Sequence, residues 1–341
     1  MSEPIRWGVL GAAKFAREHM APAIHMAAGA ELAALATSNP EKAAPFRALQ
    51  PRLTVHTSYD ALLADTSIDA VYIPLPNTLH VEWTLKALRA GKHVLCEKPL
   101  TLDAEEADAV AAYCRERGVL LMEAFMYRFH PAWAEVWRLL DEGAIGRLTD
   151  VETWFVFRSR QDASDYRMSM ARGGGALLDV GCYGVSAARL FLSGEPVAVQ
   201  AQAIYTAGNG VDIHLVGNLR FANDTLATIE ASFCSGLQQT YSIVGSAGVI
   251  DLPQDAFIPW EKDAVIYYRG AGAETGDEIV VPGVDEYRLM VEHFGDQVLK
   301  GVDSLVPVGE SMRNLSVLDA LARAAQTGCS VTPERKIAVA P

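Results

Sequence analysis

Five short stretches carry the side chains able to do chemistry. Residues 8–16 read Gly-Val-Leu-Gly-Ala-Ala-Lys-Phe-Ala. With Gly11 in the first place of a Gly-x-Gly-x-x-Gly turn, Ala13 and Ala16 occupy the second and third. The first place makes the tight turn out of a strand, the second lets backbone approach a pyrophosphate, and the third lets a helix pack closely on the strand. Ala12, Ala13, Lys14 and Phe15 then open a helix whose free N–H groups and positive dipole end suit phosphate oxygens, with Lys14 adding charge. The second stretch is Thr37-Ser38-Asn39-Pro40-Glu41-Lys42, where neither of the first two residues is a carboxylate. Two hydroxyls and an ammonium suit a 2′-phosphate better than a free ribose diol. The same residues also read as a helix-starting turn followed by a solvated lysine, and both readings can hold.

The third and fourth stretches are residues 71–80, Val-Tyr-Ile-Pro-Leu-Pro-Asn-Thr-Leu-His, and residues 93–99, His-Val-Leu-Cys-Glu-Lys-Pro. Each follows a predicted strand and lies at its carboxyl end, where open α/β sheets bind ligands. The fifth joins the glycine run Gly173-Gly174-Gly175 to Asp179 and Tyr183. If that segment is helical, the spacing of four puts both side chains on one face.

The elements that must position these residues alternate up to about residue 125. Candidate strands Arg6–Leu10, Glu31–Thr37, Ala70–Ile73, His93–Glu97 and Leu120–Met122 are separated by helical stretches such as His80–Ala90 and Ala104–Glu116. Parallel strands need crossovers, almost always right-handed, so the expectation is a doubly wound parallel sheet over 1–125. A helix ending near Gly143 follows. Alternating strands Leu148–Phe157, Val197–Tyr205, Ile213–Arg220, Leu226–Phe233 and Tyr241–Val244 then predict an open, mainly antiparallel sheet with one covered face. A helix at Gly184–Leu192 interrupts them, and two more, Glu286–Lys300 and Ser311–Thr327, close the chain. The second domain is therefore expected to be α+β over 126–341, with the 311–327 helix a candidate to pack back on the first. Gly270–Gly276 reads as a loop, and Trp133, Trp137 and Trp154 as packing rather than a sugar platform.

Bulk properties narrow the partners. With 341 residues, two domains are the expectation. A formal charge of −13 disfavours a broad nucleic-acid interface. No run of 18 apolar residues and no apolar leader is present, so neither membrane insertion nor export is expected and the chain reads as cytoplasmic. Cys96, Cys114, Cys182, Cys234 and Cys329 show no metal or disulfide spacing and read as small buried residues; no metal is expected.

Taken together, the Pro-Asn-x-x-His turn, the Glu-Lys-Pro motif and the Gly-Gly-x-Leu-x-Asp-x-Gly stretch resemble the glucose–fructose oxidoreductase/inositol dehydrogenase/MocA family over essentially the whole chain. Glu-Ala-Phe-Met-Tyr-Arg-Phe-His-Pro at 123–131, with Tyr at 183, resembles its dihydrodiol dehydrogenase and NADP-dependent D-xylose dehydrogenase branch. The resemblance implies a Rossmann domain, a second domain that often dimerises through its sheet, and hydride exchange between NADP, or NAD, and a sugar or cyclic diol. It maps the family's catalytic lysine onto Lys98 and its proton-transfer residue onto Tyr183, with Asp179 close by. The chemistry agrees: hydride leaves an alcohol carbon only as the hydroxyl proton departs, and a cation beside Tyr183 would favour its phenolate. The active site is accordingly expected in the cleft between the domains. Cofactor contacts are expected from Pro74, Leu75, Asn77, Glu97 and Ala124. His80 is either a ribose contact or a helix-start residue, and Arg128 and His130 either line the nicotinamide end or brace the domain junction. Arg167, beside a Tyr166 that departs from the family's Trp-Arg pair, is a substrate or cofactor contact. A non-catalytic nucleotide-sensing regulator and an NAD-dependent glycosidase are the alternatives; retention of Lys98 argues against the first and the absent carboxylate at 37–38 against the second.

Overall fold

The computed structural model describes residues 3–159 and 165–334. It divides into one unit made of Met1–Thr101, Glu105–Phe129 and Asp285–Ser311 and another made of Leu102–Ala104, His130–Val284 and Met312–Pro341.

In the first unit β1 (Ile5–Leu10), β2 (Ala30–Ala36), β3 (Thr54–His56), β4 (Ala70–Ile73), β5 (His93–Cys96) and β6 (Leu121–Glu123) form a sheet ordered β3-β2-β1-β4-β5-β6, every pair parallel. All four residues of β4 are buried, as a parallel strand covered on both faces requires. Helices α1 (Ala21–Met26), α2 (Ala44–Leu49), α3 (Tyr59–Leu63), α4 (His80–Arg89) and α5 (Ala104–Arg117) supply the crossovers. The order reverses between β1 and β4, which puts the ligand crevice at the carboxyl ends of those strands. Strand β3 was not expected; three residues with no apolar run leave no period to read.

The second unit opens with α6 (Pro131–Asp141), followed by β7 (Leu148–Arg158) and α7 (Cys182–Phe191), the latter entered through a π turn at Leu177–Gly181. Then come β8 (Pro196–Tyr205), β9 (Asp212–Phe221), β10 (Leu226–Ser232), β11 (Cys234–Gly245), β12 (Gly248–Leu252), β13 (Ala264–Gly270) and β14 (Asp277–Val281). The sheet runs β14-β13-β12-β11-β7-β10-β9-β8, antiparallel except where β10 meets β7. Its last three strands went unread in the sequence. The edge strand β14 is half or fully exposed throughout and so shows no apolar face, while Gly270–Gly276 is the hairpin loop it appeared to be. Register separates two faces. Val151, Thr153 and Phe155 line up with buried Ala227, Ile229, Ala231, Tyr241 and Ile243, whereas Trp154 lies level with Glu230 and Thr240 on the other side. Helix α7 presses against the first face at Gly184, where a Cβ would meet the Thr153 hydroxyl at 2.3 Å.

Two later helices redraw the expected domains. Helix α8 (Glu286–Lys300) returns the chain to the first unit, with Phe294 against Trp7 at 4.8 Å. Helix α9 (Val308–Thr327) belongs from Met312 onward to the second, where Asn314 Nδ2 donates to the Cys182 carbonyl at 3.1 Å. Helix α8 thus joins the first unit whole, whereas α9 leaves it after its first turn, Val308–Ser311. Both are amphipathic, and periodicity shows which face is buried but not what buries it. Cys96, Cys114 and Cys182 are buried as expected, whereas Cys234 and Cys329 are exposed. No described helix is long and apolar enough to cross a membrane.

Candidate active site

At the end of β1, Gly11 adopts φ +99° and donates its N–H to the Ala36 carbonyl at 2.9 Å, which locks the turn. The first bond of the following helix runs from Arg17 N–H to the Ala13 carbonyl at 3.1 Å, so the N–H groups before it have no acceptor within the helix. Ala16 is fully buried, as the third place of the turn demands, while Ala12, Ala13 and Phe15 are half-buried. Lys14 is exposed and pairs with Glu18 at 3.7 Å. After β2, Thr37 is buried and its hydroxyl accepts the Asn39 N–H at 3.2 Å. Asn39 in turn caps the next short helix through the Glu41 N–H at 2.9 Å. The helix-starting reading of this turn therefore holds, and Ser38 and Lys42 remain exposed beside it.

The ends of β4 and β5 are tied together by His80. Its ring is fully buried, with Nε2 at 2.8 Å from the Leu75 carbonyl and Nδ1 at 2.8 Å from the Pro99 carbonyl. Both nitrogens are committed to backbone, so His80 positions the two segments rather than reaching for a ribose. Burial, and more weakly the nearby Lys98 charge, push its pKa down, while the two backbone contacts oppose them. Pro74 is half-buried, and Leu75 and Asn77 are buried within the segment His80 braces. Glu97 accepts a 2.6 Å hydrogen bond from the Tyr72 hydroxyl. Lys98 is half-buried and precedes a cis peptide to Pro99. Behind it stands Glu123, at the end of β6, taking the Leu100 N–H at 2.7 Å. Burial pushes the Glu123 carboxyl up to about 7, against the pull of Ser311, the Leu100 N–H and the Lys98 charge. Ala124 is buried and gives its N–H to the Cys96 carbonyl at 2.8 Å, so it contributes to the sheet rather than to an open surface. Arg128 is half-buried near His293.

In the second unit the π turn and α7 carry Asp179 and Tyr183, so the segment is helical, the condition under which their spacing puts them on one face. Arg167 Nε lies 2.9 Å from Asp179 Oδ2, and Arg167 Nη1 lies 3.4 Å from Asp165. Arg167, expected at a ligand, is engaged with Asp179 and covers the rings of Tyr166 and Phe157 at 5.5 and 5.7 Å. Tyr183 is buried, its ring against Phe155 at 5.2 Å and Phe257 at 5.6 Å. The start of the turn is anchored by Asp212 of β9, which accepts the Leu177 N–H at 2.7 Å. Burial pushes the Asp212 carboxyl up to about 6, opposed by the backbone N–H groups of Leu177, Asp212 and Ala176. His130 caps α6 through the Ala132 N–H at 3.1 Å. Trp133 packs on Phe191 at 4.5 Å and Trp137 at 6.3 Å, as expected of core aromatics; Trp154 stands apart on the open sheet face.

Sequence reasoning missed Tyr72, Glu123, Asp212 and the two buried residues that open α8, Glu286 and Tyr287. Glu123 and Tyr72 did leave a signal, a polar residue inside an apolar strand. Asp212 and Glu286 left none, because nothing local says that an acid at a strand start or a helix start is buried.

Known proteins resemble the chain over nearly its full length. A model described as "Oxidoreductase family, NAD-binding Rossmann fold" matches residues 5–125, and one for the GFO/IDH/MocA C-terminal domain matches residues 133–251. A D-xylose 1-dehydrogenase (NADP(+)) 2 of Haloferax volcanii is 39% identical over 328 residues, covering 95% of this chain and 98% of its own. A trans-1,2-dihydrobenzene-1,2-diol dehydrogenase of Xenopus tropicalis is 31% identical over 260 residues, 74% of this chain and 77% of the relative. The crystal structure of a 3-ketoreductase from Actinomadura kijaniata, in complex with NADP and TDP-benzene, matches with a TM-score of 0.87 at 33% identity, covering 94% of this chain and 98% of that one.

Proposed function

The chain belongs to the GFO/IDH/MocA family of oxidoreductases, and we propose that it exchanges a hydride between NADP(H) and a sugar or cyclic diol, with Lys98 and Tyr183 as the proton-transfer pair. The observation that carries this reading is Lys98 at the carboxyl end of β5, half-buried among Glu97, Glu123 and His80, on a sheet whose Gly11 turn has the conformation a pyrophosphate needs. The turn fits a dinucleotide: Gly11 takes a backbone angle that other residues avoid, and the helix after Ala13 offers free N–H groups. Ser38 and Lys42, exposed after β2, would meet a 2′-phosphate.

The nicotinamide, when bound, supplies the hydride acceptor or donor. The chain supplies the proton chemistry. In oxidation Tyr183 takes the substrate hydroxyl proton at its phenolic oxygen, and Lys98 anchors the substrate oxygen and favours the phenolate by its charge. In reduction Tyr183 returns the proton. Asp179, held by Arg167, keeps a charged pair one helical turn from Tyr183. D-xylose-like aldoses, trans-dihydrodiols and the matching carbonyls are the expected substrates, in line with the names of the relatives. The test is turnover at 340 nm with NADP and a panel of aldoses and diols. Turnover of lactate or malate with none of a sugar or diol refutes the substrate class.

The exposed face of the second unit's sheet carries Trp154, Ile204, Leu226, Tyr267 and Val280, and a second copy is proposed to cover it as a two-fold dimer. Light scattering should give twice the chain mass at micromolar concentration; a monomer refutes this.

A further inference from the structure

Glu123 ends β6, where register sets it level with Cys96 of β5, two residues before Lys98. It is 2% exposed, so its carboxyl acts through the protein and not on a ligand. What it holds is the segment that leaves β5. Glu123 Oε1 accepts the Leu100 N–H at 2.7 Å, and one residue earlier the Pro99 carbonyl lies 2.8 Å from His80 Nδ1. The chain just beyond Lys98 is thus pinned from two sides. On one stands a ring whose other nitrogen is also tied to backbone, at Leu75. On the other stands an acid whose second oxygen, among the described residues, has no well-formed hydrogen bond.

Buried polar atoms are nearly always paired, so that oxygen calls for a reason. Ser311, in the first turn of α9, brings a hydroxyl near it that is also buried and without a well-formed bond. Cys96 beside it stays a neutral thiol, because burial pushes its pKa well up. Glu97 already takes the Tyr72 hydroxyl at 2.6 Å. Lys98 supplies the positive charge that acts on the Glu123 carboxyl. An ionised Glu123 is therefore a buried counter-charge for that ammonium and a charge-assisted acceptor for Leu100, and a protonated one is neither. Burial pushes the carboxyl up to about 7, so both forms occur in the neutral range.

We propose that Glu123 is the positioning residue of Lys98: its carboxylate holds the segment that carries the ammonium and keeps that ammonium in its working place, and a proton on Glu123 releases both. This rests on the reading of Lys98 as the anchor of the substrate oxygen.

The first arm of the test needs neither cofactor nor substrate. The lysines of the full chain are dimethylated with ¹³C-formaldehyde, and the Lys98 signal is assigned by its absence from Lys98→Arg. Its methyl shift should step near about pH 7 in wild type. The step should vanish in Glu123→Gln, which keeps the size and an acceptor for Leu100 but never ionises. Ser311→Ala removes a donor that favours the carboxylate and should move the step to higher pH. Signals of the other lysines report that each variant is folded. The second arm is kcat/KM with NADP(H) in both directions. Taking the charge from one hydrogen bond predicts a fall of about 5- to 13-fold between about pH 8 and about pH 6 in wild type. Because Glu123 places Lys98 and does not carry the transferred proton, the fall has the same sign in oxidation and reduction, whereas a Tyr183 limb reverses with direction. Glu123→Gln should stay at the low level throughout. A Lys98 signal without the step, a step that survives Glu123→Gln, or an acid limb unchanged in that variant overturns the positioning role. If the step is present and lost in Glu123→Gln but no sugar or diol turns over, the hold of Glu123 on Lys98 stands and the function read for the site falls.

Discussion

Replacing Gly175 by alanine should disable the second unit's half of the proposed site without touching the Gly11 turn. Gly175 has φ +126°, and a Cβ there would fall 2.0 Å from Asp212 Oδ1, with the Asp212 Cγ at 3.0 Å. Asp212 cannot simply swing away, because its other oxygen holds the Leu177 N–H at 2.7 Å, where the turn carrying Asp179 and Tyr183 begins. The backbone angle alone costs an alanine about 1–2 kcal/mol. Loss of a hydrogen bond to a charged group adds about 1.5–3 kcal/mol. A destabilisation of about 2.5–5 kcal/mol corresponds to a melting point lower by about 5–20 °C for a unit of this size. Gly210→Ala is the control: φ is +66° but no atom lies within 4 Å of its Cβ, so it should lose only the backbone part, about 2–8 °C. Thermal melts followed by near-ultraviolet circular dichroism measure both, and 2′-phospho-ADP-ribose titration checks that the first unit still binds. If Gly175→Ala melts no lower than Gly210→Ala and turns over normally, the anchoring role given to Asp212 is wrong.

Tyr183→Phe should lose about 10²–10⁴ in turnover while keeping NADPH affinity and, since its ring packs on Phe155 and Phe257, its melting point. Lys98→Met should lose at least as much, and the double variant less than the product of the two, as expected of one proton-transfer unit; near-normal turnover in Tyr183→Phe would move the proton to another group. Ser38→Asp should repel a 2′-phosphate and shift the ratio of kcat/KM toward NAD by about tenfold or more, and a wild type indifferent between the two cofactors refutes the reading of that turn. Glu286, buried at the start of α8, should be visible in stability. Its pKa is about 9 in the fold, against about 4.3 unfolded, so the folded chain keeps a proton that the unfolded chain releases. The stability this contributes is complete below about pH 4.3 and is lost as pH rises through 9. Urea midpoints of Glu286→Gln should therefore gain on wild type steadily from pH 5 to pH 9; a constant margin would show that Glu286 is not held in its acid form.

What the sequence determined by itself was local or periodic. The strand–helix alternation up to residue 125 fixed a parallel, doubly wound sheet, because buried parallel strands are short apolar runs and their crossovers are helices. Ala70–Ile73 and Glu286–Lys300 were placed to the residue, whereas the helix expected from Gly184 starts earlier and takes in Asp179 and Tyr183. The resemblance carried by the Glu-Lys-Pro and glycine-run motifs supplied the family. Tertiary structure decided everything that depends on who faces whom. A hydrophobic stripe does not name its partner, so only the fold could assign α8 to the first unit and α9 from Met312 onward to the second. Composition does not reveal burial of a single acid, so Glu123 and Asp212 emerged only once Leu100 and Leu177 were seen donating to them. The same holds for His80 and Arg167. Each is a side chain whose chemistry fits a ligand. Each is instead directed to the protein's own carbonyls or carboxylate, by contacts made across 5 and 19 residues for His80 and, for Arg167, with Asp179 across a turn that only the folded backbone brings back.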